Sequence, residues 1–99
     1  MPYRIEYSAV AVNLLRGLTA RQRAMVVSAV DEQLTHEPSV ETRNRKRMRP
    51  NPIAPWELRI GILRAYYDIV ETPEPTVFIR AIGVKKRSQV VIGGEVMEL

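Results

Sequence analysis

Cysteine is absent from the chain, so neither a disulfide-stapled secreted scaffold nor a thiolate metal site is available to it. Histidine occurs once, at His36, beside Glu37 and Pro38. It falls past a helix end, where a contact with the helix dipole explains it better than catalysis. No spacing of histidine and carboxylates suggests a metal, and neither metal nor cofactor is expected. Glycine-rich phosphate loops and nucleophile motifs are also missing, which removes the common nucleotide-binding and hydrolase signatures. Arg4, Glu6, Asn13 and Arg16 interrupt the first twenty residues, leaving no apolar run for a signal segment or a membrane span. A cytosolic protein with no membrane partner is the expectation. Internal repeats are absent too.

What remains is a chain of 99 residues, 45% hydrophobic and 26% charged, enough for one small domain, 1–99, with a core of its own. Lysine and arginine outnumber the acidic residues 15 to 11, a net charge of +4. That excess points to a polyanionic partner where the cations cluster.

Tyr3-Arg-Ile-Glu-Tyr7 alternates bulky and charged residues, the period of a short strand. Ser8 then caps a helix over about 8–16 whose stripe is Val10, Ala11, Leu14, Leu15 and Leu18, with Gly17 as its stop. Thr19-Ala-Arg-Gln22 has the form of a capping box and opens a second helix, with Ala24, Val27, Val30 and Leu34 inward. The two form an antiparallel hairpin. A polar, basic and proline-rich connection of roughly 36–55 leads to strands: Trp56–Ile60, Leu63–Val70 after a tight Gly61-Ile62 turn, and Thr76–Val84 after a proline-bearing turn. The segment from Val90 to Leu99 has a strand-like start and no further assignment. The fold class is α+β, a helix hairpin on one face of an antiparallel sheet with three strands in its second half.

Arg43-Asn-Arg-Lys-Arg-Met-Arg49 places five cations in seven residues. Such a run repels itself unless an anion neutralises it, so Arg43, Arg45, Lys46, Arg47 and Arg49 are candidate nucleic-acid contacts, against the plain alternative of a solvated loop. Strand parity adds to them. With Trp56, Leu58, Ile60, Leu63, Ala65, Tyr67 and Ile69 facing the helices, Glu57, Arg59, Arg64, Tyr66 and Asp68 share the other face. Arg59 and Arg64 then hold a phosphate between two guanidiniums, or pair with Glu57 and Asp68. Lys85, Lys86 and Arg87, in the turn after the last long strand, extend the same rim. Tyr66 on this face either stacks on a base or packs.

The order of these elements, with Trp56-Glu-Leu-Arg-Ile60, Arg64-Ala-Tyr-Tyr67 and the glycine-then-basic stretch Gly83–Arg87, resembles the RelE/ParE superfamily of toxins from bacterial type II toxin-antitoxin systems. The RelE-like branch implies a ribosome-dependent endoribonuclease that cuts mRNA through attack of a ribose 2′-hydroxyl on the adjacent phosphate. Such a site needs a proton acceptor, cationic support for the phosphorane and a proton donor for the departing 5′-oxygen. By resemblance Arg59, Arg64 and Lys85 supply the cations. Glu57 stands where some members have lysine, and either accepts the proton or pairs with Arg59. Val91 stands where members often have tyrosine or histidine, so that another group such as Lys86 must donate. The ParE-like branch implies instead a poison of DNA gyrase that acts by protein contact, and a degenerate relative would bind only antitoxin or RNA. The partner that all these readings share is an acidic antitoxin. Ribosome and mRNA, or gyrase in the alternative, are the others.

Overall fold

The computed structural model describes residues 2–99. Its elements run β1 (Arg4–Tyr7), α1 (Ala9–Arg16), α2 (Ala20–Leu34), β2 (Arg45–Arg47), β3 (Trp56–Ile60), β4 (Leu63–Val70), β5 (Thr76–Lys86), β6 (Gln89–Ile92) and β7 (Glu95–Met97). The helices begin where their caps predict. The Ser8 hydroxyl oxygen accepts from the Ala11 amide, and Thr19 and Gln22 close a reciprocal capping box. Each cap satisfies amides that a first helical turn leaves free, at about 1 kcal/mol apiece.

The strands form one sheet in the order β2-β3-β4-β5-β6-β7, antiparallel throughout. β1 departs from the expected antiparallel arrangement. It joins the first half of β5 in parallel, Arg4 opposite Thr76 and Tyr7 opposite Ile79, across a connection of two helices and three strands, long enough for the crossover that parallel pairing needs. β6 falls on the strand-like start expected at Val90, while two strands lie where none was assigned: β2 inside the basic run and β7 in the tail.

Between helices and sheet lies the main core, with Trp56, Leu58, Leu63, Ala65 and Tyr67 meeting Ala11, Leu15, Val26, Val30 and Leu34. The β3 and β4 residues are those that parity predicts. The α2 face is corrected: Val26, Val30 and Leu34 are buried, whereas Ala24 and Val27 are exposed. A single i, i+4 ridge packs on the sheet, and a residue one step from Val26 sits about 100° around the cylinder from it. Trp56 and Tyr67 stack with centroids 5.9 Å apart, and the Tyr67 hydroxyl donates to the Pro38 carbonyl at 2.7 Å.

A second, smaller cluster occupies the opposite sheet face. Tyr66, Ala81 and Ala54 are buried there under Met48 and Ile53 from the proline-rich loop and under Val90, Ile92 and Leu99 from the tail. Asn51 holds that loop in shape, its amide nitrogen donating to the Arg49 and Ala54 carbonyls and its oxygen accepting from the Ile53 and Ala54 amides. The loop and tail therefore wall in a sheet face that the sequence pattern leaves open.

Candidate nucleic-acid interface

A β-bulge sets the composition of this outer face. Tyr66 pairs with Ala81 but Tyr67 with Ile79, leaving Arg80 as the extra residue in β5. Val77 and Ile79 face the helices before the bulge, and Ile82 and Val84 face them after it. An inserted residue reverses which face every later side chain takes. Ala81, Gly83 and Lys85 are thereby turned outward. Arg59 lies opposite Arg64, Arg64 opposite Gly83, and Lys85 two residues beyond, so the three cations named from the sequence share one face.

Their side chains are not equivalent. The Glu57 carboxylate is the centre of the arrangement: its Oε1 accepts from Arg59 Nε at 2.9 Å, and its Oε2 accepts from the Tyr66 hydroxyl at 3.1 Å with Arg64 Nε 4.0 Å away. The Arg59 side chain is 48% exposed and that of Arg64 only 8%, which decides which of the two an incoming anion can reach. Arg64, expected on an open face, is instead enclosed by its own hairpin, with Nη1 donating to the Gly61 and Leu63 carbonyls. Tyr66 is wholly buried, which removes it as a stacking platform. Burial raises its ionisation well above the ordinary tyrosine range, as do the Glu57 charge and the bond to it, with Arg64 and Arg59 opposing in part. Tyr66 is thus held as a hydrogen-bond donor.

Along this face runs an open groove of about 570 Å³, bordered by Lys46, Arg47, Met48 and Arg49 on one side, Glu57 and Arg59 at its floor, and Ser88 to Val90 and the end of the tail on the other. The basic run is divided by β2. Lys46 lies opposite Glu57 and borders the groove. Arg47, opposite the helix-facing Trp56, is exposed but carries its guanidinium over that ring, 5.6 Å from the centroid, away from the side of Glu57, and Arg43 and Arg49 are exposed on either side of the strand. Arg45, named as a nucleic-acid contact, is corrected: it is buried and donates to the Val40 carbonyl, the Gln33 carbonyl and the Gln33 side-chain oxygen. The pleat turns it inward, where it clamps the last turn of α2 to the loop.

Strand pleating corrects three more positions. Lys85 and Lys86 belong to β5 rather than to the turn, which is Arg87-Ser88 with Arg87 at φ 59°. Lys86 and Val91 fall on the helix side, in a cleft with Leu14 and Val84. The tail residue on the outer face is Val90, paired with Lys85. Neither Lys86 as a substitute donor nor Val91 as the replaced one lies on the side of Glu57 and Arg59. Tyr66 and Lys46 were both named from the sequence, but their relation to Glu57, as hydrogen-bond donor and as cross-strand neighbour, was not. The sequence does carry a signal for the bulge, since its apolar residues switch from odd positions, Val77 and Ile79, to even ones, Ile82 and Val84.

No family model matches the sequence, and no curated protein matches it. Among solved structures, the chain is similar to a chain of the toxin-antitoxin complex RelBE2 from Mycobacterium tuberculosis, at 27% identity and a TM-score of 0.71, over 86% of this chain and 100% of that one. The match spans that neighbour's full length, and the α+β fold, with two helices and a multi-stranded sheet, is RelE-like.

Proposed function

We propose that the protein is the toxin of a toxin-antitoxin pair and a ribosome-dependent endoribonuclease of RelE type. The observation that carries this reading is an almost buried carboxylate, Glu57, paired with a half-exposed guanidinium, Arg59, at the floor of a groove edged with cations. Glu57 takes the proton of the ribose 2′-hydroxyl as that oxygen attacks the adjacent phosphorus. Arg59 supports the charge of the phosphorane, and the 5′-oxygen leaves with a proton from an ammonium on the same face, Lys46 or Lys85. A 2′,3′-cyclic phosphate and a free 5′-hydroxyl are the products. Lys46 and Arg49 hold the flanking phosphates. The partner is an antitoxin with an acidic, apolar segment that covers the groove. Support for it comes from the groove's charge and from a neighbour that is itself part of a toxin-antitoxin complex.

Reconstituted ribosomes programmed with mRNA test the reading: purified protein is expected to release 5′-hydroxyl fragments, and folded protein that cuts at no codon ends it. A second reading, a toxin that poisons DNA gyrase by protein contact, draws on Val90, an apolar side chain at the tail position of the outer face. Inhibition of gyrase supercoiling by the protein in the absence of ribosomes would favour it.

A further inference from the structure

We propose that Tyr66 is a positioning residue that fixes which oxygen of Glu57 is offered to the groove, an inference that rests on the reading of Glu57 as the proton acceptor. Apolar packing does not account for the hydroxyl of Tyr66. Its neighbours are Ala54 and Ala81 with Met48, Ile53, Val90 and Ile92 around them, a setting that phenylalanine fills equally well. A hydroxyl in such a place is costly unless it is bonded, and its partner is Glu57 Oε2. The ring has no room to swing. It is fully enclosed between the sheet, the loop and the tail, so the donor is held in place by its packing.

The two carboxylate oxygens therefore have partners of opposite kind. Oε2 is held by a buried, immobile donor, with the enclosed Arg64 guanidinium behind it at 4.0 Å. Oε1 is held by Arg59, whose long side chain is half in solvent and which an entering phosphate, a competing anion, can draw away. Lys46 faces the same carboxylate from β2. When Arg59 turns to the phosphate, Oε1 alone loses its partner and becomes the oxygen that takes the 2′-hydroxyl proton. Without the Tyr66 hydroxyl the carboxylate is free to turn both oxygens toward the neighbouring guanidiniums, and the productive orientation becomes one among several.

Tyr66→Phe tests this. On programmed ribosomes kcat is expected to fall about 10- to 100-fold, the range for one hydrogen bond to a charged group, with KM changed less than about twofold. In isotope-labelled protein the three-bond couplings of Glu57 are expected to report one rotamer in the native chain and averaging in the variant. An unchanged kcat, a rise confined to KM, or a Glu57 side chain still in one rotamer overturns the inference while cleavage by the native protein stands. If the native protein cuts nothing, the functional reading falls and the couplings alone decide the positioning. Should the variant not fold, the native protein decides it with a short RNA carrying a 2′-deoxy nucleotide at the cleavage step: the Arg59 Nε–H resonance is expected to shift while Glu57 keeps its rotamer. Movement of both or of neither rejects the proposal.

Discussion

Two arginines that the sequence treats alike separate once their surroundings are known, and so do their variants. Arg59→Ala removes a half-exposed side chain that is also the direct partner of Glu57 Oε1; it is expected to abolish mRNA cleavage at a cost of about 0.5–1 kcal/mol in thermal unfolding, because solvent reaches this pair. Arg64→Ala strips donors from the Gly61 and Leu63 carbonyls and takes a cation from beside a nearly buried carboxylate. It is expected to cost about 1–3 kcal/mol in denaturant midpoint before any effect on chemistry is considered. Equal stability of the two variants would contradict this division. Tyr7 is the converse case. Its hydroxyl is buried and has no hydrogen-bond partner among the described residues, and its ionisation is pushed up to about 12 by burial first and by the Asp31 charge second. Tyr7→Phe therefore deletes a desolvated group without stranding another, and is expected to raise stability by about 1 kcal/mol in urea unfolding.

At the scale of elements, the hairpin of β3 and β4 was legible because inward apolar residues recur at every second position in each strand, with Tyr66 as the exception on the outer face, and its turn has glycine at φ 59°. Both helix starts were legible from their caps. The α2 face was not, since alternative apolar residues at Ala24, Val27 and Val26 allow more than one stripe, and only docking on the sheet selects among them. β2 escaped because five cations mask three residues of strand, and the roles of Arg45 and Tyr66 depend on partners 12 and 9 positions away. Parity identified the face shared by Arg59 and Arg64 but not their burial, which the loop, the tail and the hairpin's own carbonyls determine. The meeting of β5 with β6 is the tightest of these element contacts. An added Cβ at Gly83 would lie 2.8 Å from Val90 Cγ1 and 3.1 Å from Ile92 Cγ1, and both branched side chains are fixed on β6. Gly83→Ala is expected to cost about 1–3 kcal/mol, and amide exchange should quicken in β6 and β7 before the helices. Unchanged protection of β6 would show that the hairpin yields without loss.

For the molecule as a whole, the groove concentrates a modest net charge of +4 along one side of a single sheet, and the field follows from that placement more than from the total. Glu57 is already paired with Arg59, so an entering phosphate meets Lys46 and Arg49 at the border and then competes with a carboxylate for the cation at the floor. Each neutralised phosphate on a single strand contributes about −0.7 to the slope of log affinity against log salt. With those three cations engaged, a short RNA should bind with a slope of about −2, and Arg49→Ala should reduce the slope by about 0.7 while weakening all sequences alike. Arg45→Lys, at a buried position outside the groove, should leave the slope of the folded protein unchanged. Fluorescence anisotropy over a range of salt measures all three. A slope near zero for the native protein, or an equal flattening by the Arg45 and Arg49 changes, would mean that RNA does not lie along this groove, because only the side chains bordering it can exchange their counterions for phosphate.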